Sequence, residues 1–464
     1  MRSTISMICL LGLLISFVCA APAPHPVQKR SFKVERVRNT AFAGHNSPKQ
    51  LMKAHLKYGV RPPQSLVDLV NTQELARREA VVTNNKKHKH HGNGNGNGNA
   101  NGNANGAGTA TTNNGNTTTG ATTTTTTSTN TTVDAAVGSG VGVVTNTPTS
   151  GDVEYLSPVS IGGQTLNLDF DTGSSDLWVF NTGLSAAQSK GHTLFDATKS
   201  TTFTKLTGQT FSVSYGDGSS VSGTVGTDVV NIGGAEVAKQ AVELASKVSA
   251  SFVSDTASNG LVGLAYSKLN TVQPTQQKTF FDNVQDSLTE PVFTANLRHD
   301  AAGSYEFGAI DTTQFTGTMQ FVNVNTTQGF WQFSSSKFAV GNGAVQTGGA
   351  GQAIADTGTT LLLANANIVN AYYSTVTGAA NDQQAGGITV PCDATLPDLS
   401  LDVGGQMATV KGTDIMFEQV TADTCFGGLQ AIDSDLMIFG DVFFKSNFVA
   451  FNLGNNTLGF ATHA

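Results

Sequence analysis

The sequence predicts an all-β protein made of two related β lobes with a central cleft between them. From about residue 135 onward, short runs rich in Val, Phe and Thr are cut by frequent Gly and Ser, and few segments have helical periodicity. Runs of this kind are typical of strands. The second half of this region also repeats motifs of the first, which predicts two lobes facing each other across an approximate two-fold axis. We expect an N-terminal lobe at 135–325 and a C-terminal lobe at 326–464.

The residues before 135 have a different composition from the predicted lobes. An apolar run at Ile5–Val18 followed by small residues predicts a cleaved secretory signal at 1–20. A membrane anchor, the alternative, needs about 20 apolar residues. We interpret 21–89 as a basic propeptide and 90–134, an Asn-Gly repeat and a Thr-rich tract, as a disordered linker that is removed with it. We therefore expect a secreted, extracellular product.

Charge also divides the chain. The leader, residues 21–134, has 14 Lys+Arg and 5 Asp+Glu, whereas residues 135–464 have 11 Lys+Arg and 28 Asp+Glu. A basic leader before an acidic body predicts that the two are complementary. Nucleic-acid binding by the leader is the alternative, but secretion removes its target, so we expect no nucleic-acid partner. The acidic body predicts low-pH activity and loss of structure at mildly alkaline pH.

Periodicity predicts several local elements. Apolar residues on one face predict a helix at Pro48–Val60, and a four-residue repeat predicts another from Phe280 to Leu288. Ile368–Tyr373 favours the start of a third helix. Alternation at Thr165–Phe170 predicts a half-buried strand that leads directly to an aspartate.

That aspartate belongs to the internal repeat. Asp171-Thr172-Gly173-Ser174 is matched by Asp356-Thr357-Gly358-Thr359, and each copy is followed at a similar separation by an apolar-apolar-Gly signal, Leu261-Val262-Gly263 and Ile438-Phe439-Gly440. A single Asp-Thr-Gly is an ordinary turn sequence. Two copies in corresponding positions predict two loops that meet at the junction of the lobes.

Two carboxyl groups about 3 Å apart cannot both ionise without strong repulsion, so Asp171 and Asp356 would share one proton over an acidic range. The ionised member could then take a proton from water while the protonated member polarises a carbonyl. We expect Thr172 and Thr357 to brace the loops by hydrogen bonds and the hydroxyl at the fourth motif position to orient each outer carboxylate oxygen.

A hairpin is predicted at Ser212–Gly223, with Gly216-Asp217-Gly218 at its tip. Tyr215, an aromatic residue beside a flexible tip, is what a mobile lid over a cleft needs. The alternative is an ordinary surface hairpin.

In these motifs, and in Trp178, the chain resembles the pepsin-type aspartic proteinases, in particular the secreted fungal penicillopepsin and endothiapepsin group, from about Thr145 to the C-terminus. The resemblance implies a bilobal pepsin-like fold, peptide and protein substrates cut beside large apolar residues, sensitivity to pepstatin-type inhibitors and no cofactor. It implies that Tyr215 is a flap tyrosine bonded toward Trp178. It also implies that the cleft is lined by Gly173, Gly216, Asp217, Ser219, Gly358 and Thr359, with Asp217 admitting lysine before the cut.

The resemblance extends to the leader. Leu56-Lys57-Tyr58 is similar to the block in which a propeptide lysine pairs with the catalytic aspartates and a tyrosine fills the cleft. The alternative, that Lys57 is a solvated surface lysine, remains open. Lys29-Arg30 and Arg77-Arg78 are candidate processing sites, and the linker is longer than the family pattern.

Cys392 and Cys425 are the cysteines that remain after signal removal, which predicts one disulfide in an oxidising compartment rather than two free thiols. Without clustered histidines, we expect no metal site.

Asn-x-Thr sequons predict glycosylation at Asn116, Asn130, Asn325 and Asn455. We expect no membrane attachment, because the C-terminus has no hydrophobic tail for a lipid anchor. We also expect a monomer. An inactive peptide-binding relative and a surface glycoprotein are the alternative functions.

Overall fold

The computed structural model describes residues 47–89, 141–148, 154–215 and 219–464, with side chains except at 77–89, 349 and 350. The predicted signal, the linker, Lys29-Arg30, Asn116, Asn130 and the hairpin tip Gly216-Asp217-Gly218 lie outside the described residues, as do the side chains of Arg77 and Arg78. Among the described residues, 47–70 and those from 141 onward belong to one unit, and 71–89 belong to a second.

The described part is mostly β, which confirms the predicted fold class. The strands of its first half are β1 (Gly142–Pro148), β2 (Tyr155–Ile161), β3 (Gln164–Asp171), β4 (Leu177–Val179), β5 (Thr204–Ser214), β6 (Ser220–Ile232), β7 (Ala235–Val248), β8 (Gly260–Gly263), β9 (Val292–Arg298), β10 (Ala301–Phe307) and β11 (Gln320–Asn323).

The second half continues the β pattern. Its strands are β12 (Gln332–Val340), β13 (Gln346–Ala355), β14 (Leu362–Ala364), β15 (Ala380–Asp382), β16 (Gly387–Pro391), β17 (Leu399–Val403), β18 (Gln406–Val410), β19 (Met416–Gln419), β20 (Thr424–Gly427), β21 (Leu429–Ala431), β22 (Leu436–Phe439), β23 (Asn447–Asn452) and β24 (Thr457–Thr462).

The strands form three sheets. A 13-stranded sheet has the order β11-β24-β23-β9-β10-β1-β2-β3-β8-β4-β7-β6-β5, a 7-stranded sheet has the order β18-β17-β12-β13-β22-β14-β21, and a 4-stranded sheet has the order β15-β16-β20-β19. The largest sheet combines all eleven first-half strands with β23 and β24, so both halves of the chain contribute to it. The predicted disulfide is present and joins Cys392, which follows β16, to Cys425 in β20.

The internal repeat appears as a repeated strand arrangement. β3, which ends at Asp171, pairs in parallel with β8, and β8 pairs antiparallel with β4. In the second half β13, which leads to Asp356, pairs in parallel with β22, and β22 pairs antiparallel with β14. The apolar-apolar-Gly signals are therefore the central strands of two equivalent arrangements, each of which holds one aspartate loop.

Helices are few in the described residues, as predicted. They are α1 (Ser47–Lys57), α2 (Gln64–Lys89), α3 (Ala250–Ser254), α4 (Phe280–Val284), α5 (Ala366–Tyr373), α6 (Gly412–Ile415) and α7 (Asp441–Ser446). The helix predicted at 48–60 is confirmed as α1, but it ends at Lys57. Gly59 has a φ of 69°, and Val60 N donates to His55 O at 2.9 Å, which is the arrangement of a glycine that ends a helix in the left-handed region.

Two other predictions need adjustment. The helix predicted from Phe280 to Leu288 is α-helical only through Val284 and continues as a 3₁₀ turn at Gln285–Ser287. β3 is half-buried at its start, with Thr165 exposed and Leu166 buried, but from Leu168 to its end every residue is buried. The half-buried prediction is wrong for Asp169, because the end of β3 is covered on both faces where it enters the site.

Candidate active site

The two predicted aspartates lie together at the ends of equivalent strands. The side chain of Asp171 is 2% exposed and that of Asp356 is fully buried. The Nζ atom of Lys57 lies 2.9 Å from Asp171 Oδ1 and 2.9 Å from Asp356 Oδ2. One ammonium group therefore contacts both carboxyl groups, although the two residues are far apart in the chain.

The threonines at the second motif position brace the two loops against each other. Thr172 N donates to Thr357 Oγ1 at 3.2 Å, and Thr357 N donates to Thr172 Oγ1 at 2.9 Å. Each hydroxyl also donates across the junction, Thr172 to Ala355 O at 2.9 Å and Thr357 to Phe170 O at 2.5 Å. All four bonds are buried, so the separation of the carboxyls is fixed by backbone and hydroxyl groups rather than by the acids themselves.

Glycine at the third motif position is required by close approach. A Cβ atom added to Gly173 would lie 2.5 Å from Asp356 Oδ1, and one added to Gly358 would lie 2.3 Å from Asp171 Oδ1. Any side chain there would force the opposite carboxyl away. The two amides also donate to the aspartate of their own loop, Gly173 N to Asp171 Oδ1 at 2.8 Å and Gly358 N to Asp356 Oδ1 at 3.1 Å.

The hydroxyls at the fourth position reach the outer carboxylate oxygens. Ser174 Oγ donates to Asp171 Oδ2 at 2.6 Å, and Thr359 Oγ1 donates to Asp356 Oδ2. Each carboxyl thus has one oxygen held by a hydroxyl and the other held by an amide, and this orients both groups.

The electrostatics of the two carboxyls differ. Burial raises the pKa of Asp171, and Lys57 opposes this rise without cancelling it. Burial alone would also raise the pKa of Asp356, but Lys57 and hydrogen bonds with Asp171, Thr359 and Tyr58 hold that pKa at about 2. The same two carboxylates raise the pKa of Lys57 well above its usual value, although burial acts in the opposite direction.

Lys57 and Tyr58 occupy the space in front of the carboxyls. The Lys57 side chain is only 6% exposed, so here it is not a solvated surface lysine. Tyr58 OH donates to Asp356 Oδ2, and its ring lies edge-on to Phe330 at 5.9 Å. Leu51, on the preceding turns of α1, packs in an apolar cluster with residues that flank the Asp356 loop.

The predicted hairpin is formed by β5 and β6. Trp178 Nε1 donates to Tyr215 OH at 2.8 Å, and Tyr215 N donates to Ser219 O at 2.9 Å. Ser219 is buried at the end of the hairpin. Phe252 completes this corner, because its ring contacts those of Trp178 and Tyr215 with centroids at 4.9 and 5.5 Å. Sequence reasoning missed Phe252, since it lies on the short helix α3 and belongs to no motif.

The remaining predicted positions lie apart from the carboxyls. Asn325 and Asn455 are exposed, and Thr457 Oγ1 donates to Asn455 Oδ1 at 2.6 Å. Within the described ranges, no group of three or more His, Cys, Asp or Glu side chains is placed to hold a metal ion. In the same part of the chain, no helix is both long enough and apolar enough to cross a membrane.

Two equivalent strand arrangements that bring a pair of Asp-Thr-Gly loops together define the pepsin type of aspartic protease. Comparison with known proteins agrees with this class. The family described as "Eukaryotic aspartyl protease" matches residues 154–463, and the chain belongs to this family of peptide-hydrolysing enzymes.

Individual relatives are similar over most of their length. Penicillopepsin-1 of Penicillium janthinellum is 48% identical over 324 residues, which cover 69% of this chain and 99% of that protein. Endothiapepsin of Cryphonectria parasitica is 50% identical over 325 residues, covering 68% of this chain and 77% of that protein. Aspergillopepsin-1 of Aspergillus oryzae is 48% identical over 322 residues, which cover 69% of this chain and 82% of that protein.

Proposed function

We propose that this protein is a secreted, monomeric aspartic endopeptidase that hydrolyses peptide bonds at acid pH by activating water between Asp171 and Asp356. The observation that supports this most directly is that the Nζ atom of Lys57 lies 2.9 Å from a carboxylate oxygen of Asp171 and 2.9 Å from one of Asp356. A water molecule at a similar position, once Lys57 has left, would be within reach of both acids.

The chemistry follows from a pair that holds one proton. Sharing of a proton between two apposed carboxyls is the established behaviour of aspartic protease dyads. The ionised carboxylate accepts a proton from water as the oxygen attacks the scissile carbonyl, and the protonated carboxyl donates a hydrogen bond to the carbonyl oxygen. Ser174 and Thr359 hold the outer oxygens and leave the inner ones for water and substrate. No covalent intermediate is required.

Substrate binding is assigned to the space between the loops and the hairpin. Tyr215 is held by Trp178 and packed on Phe252, which makes the base of the hairpin a rigid support for a tip that closes over a peptide. Gly216, Asp217 and Ser219 are proposed to contact the peptide, which is cut beside large apolar residues, and Asp217 to admit lysine before the cut. Pepstatin-type inhibitors should occupy the same space.

We further propose that the leader is an intramolecular inhibitor released by acid. Lys57 contacts the inner oxygens of both carboxyls, Tyr58 donates to the outer oxygen of Asp356, and together they fill the space that a substrate carbonyl needs. The docked state holds the pKa of Asp356 at about 2, below the usual value of about 3.9 for an aspartate. A depressed carboxyl pKa stabilises the docked state above the undocked pKa, and this stabilisation is lost as pH falls towards the docked value.

The test is secretion of the full chain, acidification, and mass spectrometry of the products beside an Asp171→Asn variant. We expect the unsubstituted chain to shorten from its N-terminal side and to digest denatured haemoglobin with pepstatin blockade. The Asp171→Asn chain should do neither. Equal digestion by both chains would refute the proposed mechanism, and pepstatin binding without digestion would indicate an inactive peptide-binding relative.

A further inference from the structure

A second pair of carboxyls lies behind the site, and the water-activation chemistry does not use it. Asp176 follows the Asp171 loop, and Glu243 is on β7, where it pairs in register with Trp178. Both side chains are buried, with 1% exposure for each residue. Asn270 Nδ2 lies 3.1 Å from Asp176 Oδ1 and 3.1 Å from Glu243 Oε1, so one amide nitrogen faces both acids.

The hydrogen bonds of the two acids are unequal. Asp176 Oδ1 also accepts from Thr271 N at 2.9 Å and from Thr271 Oγ1 at 3.0 Å, which suits an ionised carboxylate. Glu243 Oε2 is buried and has no hydrogen-bond partner among the described residues. A buried carboxylate oxygen without a donor is costly, whereas a protonated Glu243 could donate to Asp176. The geometry therefore assigns the proton of the pair to Glu243.

This pair holds together the elements that carry the hairpin support and the Asp171 loop. Asn270 Nδ2 also donates to Ser175 O at 3.2 Å, and Gly263 N donates to Asp176 O at 2.9 Å. Trp178, two residues further on, donates to Tyr215 OH. Displacement of the 175–178 segment would thus disturb both the catalytic loop and the hairpin.

We propose that the Asp176–Glu243 pair is a proton-dependent lock. One proton on Glu243 holds segment 175–178 to β7 at acid pH, and its release to solvent towards neutral pH leaves two buried carboxylates that repel each other and free the segment. The lock goes beyond the proposed function, because it acts on the fold and does not depend on the chemistry at Asp171 and Asp356.

The titratable groups that face the pair support this direction. Burial raises the pKa of Glu243 well above its usual range, and Asp176 raises it further. Burial also raises the pKa of Asp176, against the hydrogen bonds from Thr271, while Asp171 adds to the rise. Tyr215 lies close enough to interact with both acids and is itself neutral. A carboxyl whose pKa is higher in the folded state makes stability fall as pH rises above the unfolded value, which is about 4.3 for glutamate.

The test compares full-length chains that all carry Asp356→Asn, so that none can process itself. Denaturant unfolding is followed from pH 4.5 to pH 8 for this reference, for Glu243→Gln and for Glu236→Gln, a matched control that is exposed on the same strand. While Glu243 stays protonated in the folded chain, the unfolding constant of the reference should rise up to tenfold per pH unit relative to Glu243→Gln, as expected for one proton lost on unfolding. Glu236→Gln should follow the reference.

An identical pH dependence of unfolding in the reference and in Glu243→Gln would overturn the proposal. If Glu243→Gln does not fold, Glu243→Met, which also removes the titrating group, takes its place. Hydrogen exchange of the reference gives a second measurement that needs no substitution at 243. Amides of 175–179 should lose protection, after correction for intrinsic rates, at a lower pH than those of β17. Loss at the same pH in both segments would equally refute the lock. Because every chain is inactive, failure here is separable from failure of the proposed function.

Discussion

Replacement of Lys57 by methionine should open the cleft of the intact chain. Lys57 Nζ contacts Asp171 Oδ1 at 2.9 Å and both oxygens of Asp356 at 2.9 and 3.1 Å, with the side chain 6% exposed. Removing one partner of a buried ion pair costs about 3–5 kcal/mol, chiefly because the remaining charge is left buried without compensation. Methionine has a similar length, so the packing of α1 should be largely retained.

The assay is binding of a labelled pepstatin-type inhibitor to the intact chain near pH 6.5, with chain length checked by electrophoresis after each measurement. The inhibitor must displace the leader, so a loss of about 3 kcal/mol in docking should improve its apparent Kd by roughly 100-fold. Lys49→Met, on the same helix, is the control and should bind as the unsubstituted chain does. The difference between the chains should shrink as pH falls, because protonation of the dyad weakens the Lys57 pair in the unsubstituted chain. Equal inhibitor affinity for Lys57→Met and the unsubstituted chain near pH 6.5 would refute the reasoning.

Three further predictions concern the site and its support. Thr172→Val removes the acceptor of Thr357 N and the donor to Ala355 O, and should lower stability by about 1–3 kcal/mol in denaturant unfolding, with a loss in kcat that Thr172→Ser largely restores. Tyr215→Phe removes the acceptor of Trp178 Nε1, a net loss of about 0.5–1.5 kcal/mol, and should lower kcat/KM three- to tenfold at acid pH; an unchanged kcat/KM would exclude a role for this bond. Replacing both disulfide cysteines, as Cys392→Ser with Cys425→Ser, should destabilise the protein by about 3 to 4 kcal/mol. The loss is measured as a shift in the denaturant midpoint, and the positions of Asp171 and Asp356 should not change.

The aspartate loops could be found from sequence because their signals are local and repeated. Each loop must carry an acid, a bracing hydroxyl, a glycine without a clashing Cβ and a second hydroxyl, so the whole requirement is written in four consecutive residues. Lys57 and Tyr58 are indicated only by the resemblance of their block to a family propeptide. The two alternatives for Lys57 could not be separated by sequence, because burial of a lysine depends on what another part of the chain places over it.

Features assembled from distant, ordinary residues could not be predicted. Phe252 joins the Trp178–Tyr215 corner from a five-residue helix with no motif. Alternation along β3 predicts that Asp169 lies on a polar face, yet the residue is buried and burial raises its pKa to about 7. Asp176 and Glu243 come together only because β4 pairs in parallel with β7. Alternation reports one face of one strand, and it carries no information about what covers the other face.

Docking of the leader and the Asp176–Glu243 pair depend on protons in opposite directions. Together they would confine activity to a window of pH. At the acid side, contacts with Lys57 and Tyr58 help to depress the pKa of Asp356, so the proposed release of the leader would take up a proton. At the neutral side, Glu243 has a raised pKa, so the lock fails when a proton is lost. A leader bound near neutral pH would therefore do more than block the cleft. By adding buried contacts to the folded state alone, it would raise folding stability under the conditions in which the Asp176–Glu243 pair is weakest, and once removed by acid it would leave a protein whose return to neutral pH is destabilising.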